Sequence, residues 1–437
     1  MTSVTTPTGL SLEAVTALSE WQAEPSWLRA LRRQAWETFE SVPWPDASQE
    51  EWRRVNLKGL QLEEYAPYLP AGTPLPAGLH AAVGARAHVA QGNSTVVRAV
   101  LPEELQRQGV IFTSLEEAVR RYPELVEPHL GQVLSPVQGK IEALHTALWS
   151  GGAFLYVPRN VAVAEPLYLT VWADAPGLAL LPHTLVVAEE GSALTLYEEH
   201  LSATPQAGAF AAPAAEVIVG DGARVHYTTL QGWGEAVREF GTRRAVVGRE
   251  AHLEWTTVVL GAQQSWMRLQ GVFAGPGAEA RLHGLYLPGS EQEFHLVTLQ
   301  EHQAPHTQSD LYFKGALRDQ ARSVYHGVIR VHPGAQRANG YQQNRNLLLS
   351  GHARADSIPI LEIEANDVKC SHGATVGQED PDQLFYLTSR GLPRPEAEQL
   401  LVEGFFREVL DALPDEAARE YVVQAVAAKV APGGRKE

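Results

Sequence analysis

One cysteine in 437 residues, Cys370, excludes an intrachain disulfide and any self-contained Cys-x-x-Cys metal site. Such economy with thiols suits a reducing cytoplasm, the expected location. Positive charge is scarce as well: 35 Lys and Arg stand against 51 Asp and Glu, a formal charge of −16. A surface that negative repels phosphate backbones, so nucleic acid is not an expected partner. No uninterrupted apolar run approaches the ~18 residues of a spanning helix, so no membrane partner is expected either. A basic stretch leading into an apolar core is absent from the start, so no export signal is expected. There is no Gly-x-x-x-x-Gly-Lys-Ser/Thr loop, hence no ATP bound by this chain, and no Gly-x-Ser-x-Gly elbow. What is present is ordinary globular composition, 44% hydrophobic and 20% charged, in a chain long enough for a large core.

Periodicity divides the chain into a helical and mixed region over 1–152, a β core over 153–378 and a helical region over 379–437. In the first, Trp27, Leu28, Leu31, Ala35, Trp36 and Phe39 recur at helical spacing, with Arg29, Arg32, Arg33 and Glu37 on the complementary face. Glu51 to Arg54 reads as the start of another short element, and Ser114 as the cap of a helix. In the core, Phe154 to Val157, Leu167 to Val171 and Thr184 to Val187 read as strands. A turn residue, an alanine and a strand then recur at Ala193, Ala223, Ala251 and Ala278, with Ala335 and Ala353 further on. Short strands at quasi-regular spacing fit coils stacked in a β-solenoid. An antiparallel sandwich or jelly roll fits the period equally well. Past residue 379, Asp380, Pro395 and Pro414 open three helical patterns. The second carries Leu400, Leu401, Phe405, Val409 and Leu410, and the third Ala418, Tyr421, Val422, Ala425 and Val426. The last residues, 432–437, read as a frayed tail.

Chemistry concentrates between Glu362 and Thr375. In an extended chain Leu361, Ile363 and Ala365 share a face opposite Glu362 and Glu364, and Cys370 and His372 share a face as well. A thiol beside an imidazole can be a low-pKa nucleophile or a soft metal-binding pair. The bland alternative is a small buried hydrophobe beside a structural histidine. Nine of the 16 histidines lie between His252 and His372. His302 and His306 are four apart, but Pro305 argues against the helix that would pair them. Glu189-Glu190 and Glu198-Glu199 carry no spacing that separates them from a solvated face.

At Asp367-Val368-Lys369-Cys370-Ser371-His372-Gly373-Ala374-Thr375-Val376-Gly377 the chain resembles the SufB/SufD family, scaffold subunits of the SUF iron–sulfur cluster assembly machinery. Asp382 to Leu387, Ser389-Arg390-Gly391, Gly109 to Leu115, Gly151 to Pro158 and Asn344 to Leu349 match it too. Glu24-Pro25-Ser26-Trp27-Leu28 and Cys370-Ser371-His372-Gly373 are similar to the SufD branch. The resemblance implies a mainly β protein, a right-handed parallel β-helix with helical ends. It implies a complex with a SufB-like scaffold subunit and a SufC-like ATPase, the latter docked on the C-terminal helices. It also implies a non-catalytic role in which His372 acts in iron arrival or nascent cluster formation, with Cys370 beside it. Reduced flavin is proposed for some complexes of this family.

A cluster commonly takes about four ligands, mostly thiolates. A chain with one thiol must therefore share any cluster or iron with its partner. In isolation such a chain is expected to self-associate through the surface meant for that partner. Two rival readings are a β-helix polysaccharide-active enzyme, which needs a carboxylate cluster in a groove, and a Cys-His acyltransferase, which needs a third orienting group.

Overall fold

The computed structural model describes residues 9–82 and 84–431, so the stretch 432–437 lies outside the described residues. From Gly152–Val157 onward the chain alternates between two sheets. Leu167–Ala173, Ala193–Ser202, Arg224–Gly232, His252–Val259, Glu279–Tyr286, Gln308–Leu317, Asn339–Leu348 and Lys369–Gln378 follow one another in parallel in the first sheet. Gly152–Val157, His183–Ala188, Ala214–Val219, Arg238–Val247, Gln264–Phe273, Glu293–His302, Arg322–Val331 and Arg354–Ile363 do so in the second. Each strand hydrogen-bonds those one coil before and after rather than its sequence neighbour. That pairing is a parallel solenoid and removes the antiparallel alternatives.

The corner turns explain the alanine recurrence. Register places Ala223, Ala251 and Ala278 in one column, continued by Thr307 and Ala338. Ala193 stands one position later than this column, whose member on that coil is Ser192. Ala353 belongs with Ala321 at the opposite corner. The residue before each small side chain is left-handed: Gly222 at φ 67°, Glu250 at 52° and Gly277 at 72°. Glycine adopts that conformation without penalty, whereas Glu250 carries a strain of about 1–2 kcal/mol. In return the N–H of each such residue reaches a carbonyl on the next coil: Gly222 to Arg249, Glu250 to Pro276 and Gly277 to Pro305. The turn backbones are thus bonded between coils as the strands are.

Helices cover both outer faces. Leu12–Trp21, Ser26–Ser41 and Lys140–Leu148 pack Leu28, Ala35, Trp36, Leu144 and Trp149 against the second sheet at Leu185, Phe210, Phe240 and Trp266. Arg32, expected on the polar face of its helix, is buried, bonding Glu24 at 2.7 Å and the Ala147 carbonyl. The segment around Glu51 stays a run of turns, whose Trp52 stacks on Trp266 at 4.3 Å. Ser114 caps the helix Leu115–Arg121 by accepting from the Glu117 N–H. Arg394–Leu410 and Glu416–Val430 cover the first sheet, packing Val402, Phe406, Val409, Val422 and Val426 against Leu230, Val258 and Leu285. Leu400, expected on the buried stripe, faces solvent; the stripe runs instead through Val402 and Phe406. No helix among the described residues is long and apolar enough to cross a membrane.

Candidate functional site

Cys370 and His372 lie on the last strand of the first sheet, Lys369–Gln378, opposite Gly340 and Gln342 of the strand before. On that inner strand Gly340, Gln342, Asn344 and Asn346 are buried while Asn339, Tyr341 and Arg345 are exposed. Alternation therefore puts Cys370, His372, Ala374 and Val376 on the face that looks into the lumen. The expected shared face is present because the strand stays regular through both residues. Leu361 and Ile363 likewise occupy inward positions, opposite the buried Ile329 and Val331. No coil follows, so Leu361 is 36% and Val376 46% exposed despite pointing inward. The site is the open end of the stack, a thiol and an imidazole set among apolar side chains.

The two candidate ligands differ in burial. His372 is exposed, whereas Cys370 is half-buried beside Ile329, Val331, Ala338 and Ala365. That burial pushes the Cys370 thiol up, and a bond from the Gly340 backbone only partly offsets it. The shift runs opposite to that of an activated nucleophile. Gly340 is the contact shared by three groups: a Cβ there would lie 3.0 Å from Ile329 Cγ2 and 3.4 Å from both Cys370 Sγ and His302 Nε2. His302 is buried and bonded to Thr307 Oγ1 at 2.7 Å and Ser309 Oγ at 2.9 Å. Burial lowers its pKa to about 4, so it stands neutral behind the site. His306, in contrast, is exposed in a turn at φ 60°, so the two form no pair. Among the described residues no three His, Cys, Asp or Glu side chains gather as a metal shell.

Behind the open end the lumen is polar, which periodicity did not reveal. Tyr286 donates to Asn346 at 2.5 Å, Asn346 to Asn344 at 2.7 Å, and Asn344 to the Tyr286 oxygen at 3.0 Å. Gln300 bonds Ser309 at 2.7 Å, and Tyr325 bonds Thr298 at 2.9 Å. The signal available was the run of polar residues at alternate, inward positions of one strand: Gln342, Asn344, Asn346. A second polar group lies nearer the N-terminal end, beyond Trp255, Met267, Leu282 and Phe294. There Glu198 accepts from Thr184 at 2.9 Å, from His200 at 2.7 Å and from Tyr227. Burial opposes its charge, but those bonds and Arg243 outweigh it and hold the carboxyl below its ordinary range. Glu199, on the outer face, is buried beneath the C-terminal helices and accepts from Leu79 N–H at 2.9 Å. The pair Glu198-Glu199 is thus no solvated face: one side chain is enclosed in the lumen, the other under a helix. Glu198 is sealed from any polymer, so it cannot serve a groove-binding sugar enzyme.

Beside the last coil, the helix Pro381–Ser389 begins at its expected cap, Asp380, and buries only Leu384. Phe385 is 72% exposed and Tyr386 is also exposed. A cleft of about 710 Å³ separates this helix from the strand ends, lined by Leu348, Leu349, Gln378, Glu379, Leu384 and Arg394.

Comparison with known proteins adds identity to this geometry. Residues 171–405 match the family model described as SUF system FeS cluster assembly, SufBD core domain, and residues 84–169 match the SufBD protein N-terminal region. The iron–sulfur cluster assembly protein SufD of Bacillus subtilis is 32% identical over 430 residues, covering 96% of this chain and 97% of that one. SufB of the same organism is 26% identical, covering 94% and 91%. A chloroplastic SufBD family protein of Arabidopsis thaliana is 28% identical, covering 96% and 79%.

Proposed function

The chain belongs to the SufB/SufD family of iron–sulfur cluster assembly proteins and is a homologue of SufD; from that premise we propose that it is a non-catalytic scaffold subunit. In this reading it pairs with a SufB-like chain through its open C-terminal coil and offers His372 to incoming iron or a nascent cluster at the shared surface. The observation that carries the proposal is the placement of Cys370 and His372 side by side on an inward face that no further coil covers. A partner coil continuing the stack would bury Leu361, Ile363 and Val376 and bring its own ligands to the pair.

Each residue then has a task its surroundings suit. The exposed His372 stands open to incoming Fe(II), which an imidazole binds through a ring-nitrogen lone pair. Cys370, whose ionisation burial disfavours, is a reserve ligand that would release its proton on binding a metal. Two ligands leave a cluster incomplete, so the cargo is handed on rather than kept. Exposed Phe385 and Tyr386 beside the open cleft support docking of a SufC-like ATPase on the C-terminal helices.

The test is anaerobic reconstitution with co-expressed SufB-like and SufC-like chains. His372→Ala should lower iron and sulfide loading while the subunits still co-purify; full loading in that variant rejects the role of His372. Deletion of the residues after Gly377 should abolish co-purification of the ATPase, and retained binding rejects the assignment of those helices.

A further inference from the structure

Directly beneath His372, one coil into the lumen, lies Gln342, its register partner on the same inward face. Gln342 is fully buried, yet its amide is half satisfied. Nε2 donates to the Gly327 carbonyl at 3.3 Å, while Oε1 is buried without a hydrogen-bond partner. The amide cannot be turned over, because that would set two acceptors against each other at Gly327. Gly327 itself makes room for it: a Cβ there would lie 2.4 Å from the Gln342 Nε2. Along the same column Asn344 and Asn346 are bonded to each other and to Tyr286, whereas Gln300 Oε1 and Ser323 Oγ on the facing sheet share the lack of a partner but have a further strand laid over theirs. Native folds rarely leave a buried acceptor unpaired. The side chain that the next coil sets over Gln342 is the imidazole of His372, about 4.8 Å away strand to strand. It is exposed, and among the described residues its ring makes no hydrogen bond.

We infer that Gln342 is the positioning residue for His372: its side-chain carbonyl accepts the N–H of one imidazole nitrogen and turns the other toward the open end. The inference rests on the reading of His372 as an iron ligand. A neutral imidazole has one N–H and one lone pair, and whichever nitrogen is pinned decides which one meets the metal. Hydrogen-bonded partners of this kind fix ligand orientation and typically change metal affinity 10–100-fold when removed. A glutamine carbonyl does so without adding a charge that would compete for iron.

The test uses the full chain. In metal-free protein, the imidazole nitrogen NMR shifts of His372, assigned by their loss in His372→Ala, should report one tautomer. Gln342→Met should turn this into a mixture, and Gln342→Glu, which keeps an acceptor, should restore a single form. Anaerobic titration with Fe(II) alone should weaken about tenfold in Gln342→Met and change far less in Gln342→Glu. A mixture of tautomers in the wild-type chain overturns the inference with no variant needed. So does a folded Gln342→Met chain in which His372 keeps one tautomer. If the tautomer follows Gln342 while His372→Ala binds Fe(II) undiminished, the contact stands and only the iron-ligand reading falls.

Discussion

Val171 and Val376 occupy the same position in the first sheet, Val171 near its N-terminal edge beneath Ala87–Gly92 and Val376 on its last strand, connected by an unbroken register through every coil between them. Leu155 and Leu361 correspond in the same way in the second sheet. At the N-terminal end Val171 and Leu155 are fully buried; at the C-terminal end their counterparts stand open. The difference is made by segments that precede the coils: Ala87–Gly92 lies over Leu167–Ala173 as one more parallel strand, and antiparallel strands then close both sheets. Thr95–Val100 folds back on Ala87–Gly92, and Ile111–Ser114 reverses against Gly152–Val157, which halts the parallel stack. Gln91 closes that end further, accepting from the Gly152 N–H at 2.5 Å and donating to Ser150 at 3.2 Å. A stack of coils needs caps of this kind at its termini. At the far end no further strand follows among the described residues, and Pro359 removes one backbone donor from the terminal strand. One end is finished by the chain itself, and the other stands open among the described residues.

The largest expected effect breaks that comparison outright. Val171→Asp places an unpaired carboxylate in a sealed core and should lower stability by more than about 4 kcal/mol, or prevent folding. Val376→Asp, at the equivalent position, should shift stability by no more than about 0.5 kcal/mol, because water already reaches it. It should instead abolish pairing with a SufB-like chain. Thermal melts and co-purification of both variants decide this. Equal destabilisation would mean that the open end is covered within the isolated chain.

The same contrast governs what the sequence revealed. Residues facing the repeat were legible: Ala223, Ala251 and Ala278 recur because each follows a left-handed corner residue in one register column. Their spacing could not distinguish a solenoid from a sandwich, since a strand's partner lies about one coil away and its direction leaves no local mark. The shared face of Cys370 and His372 was legible because period two persists to the last strand. The layer behind them was not. Gln342, Asn344 and Asn346 alternate as solvent-facing polar residues do, and only enclosure by the second sheet turns them into lumen. Glu198 misled for the same reason. The stripe of one helix erred at its start, where Val402 and not Leu400 takes the buried place, while Val409 and Leu410 lie buried as expected.

A smaller effect sharpens the contrast between covered wall and open end by pH. His295 lies beside Trp266 on the outer face of the second sheet, buried beneath the N-terminal turns. Burial, helped by the nearby Arg54 charge, lowers its pKa to about 4 from an ordinary 6.5. Above pH 6.5 neither state takes up a proton there, and stability is unaffected. Between about 6.5 and 4 the unfolded chain binds a proton that the folded chain refuses, so stability falls as pH falls, by up to about 3 kcal/mol. Below that window both states are protonated and the loss levels off. Urea unfolding at pH 7 and pH 4.5 should show this slope in the wild type and lack that part of it in His295→Leu. An unchanged slope in the variant would place His295 in contact with water.

The smallest effect separates the inner face of the site from its rim. Gly340→Ala sets a methyl group 3.0 Å from Ile329 Cγ2 and 3.4 Å from Cys370 Sγ, inside a packed corner. Ile329 and Cys370 must each give way by a few tenths of an ångström, at a cost of about 1–2 kcal/mol. Gly377→Ala, on the terminal strand, meets nothing within 4 Å. Its effect should be neutral or slightly stabilising, by about 0.5 kcal/mol, because alanine restricts the unfolded chain. Denaturant midpoints at constant slope measure both. The pair carries a second readout, since displacement of Sγ by the new methyl should speed Cys370 modification by a thiol reagent, whereas Gly377→Ala should leave that rate alone. Equal rates in the two variants would mean that the thiol is held by Ile329 and Ala365 and owes nothing to the gap at Gly340.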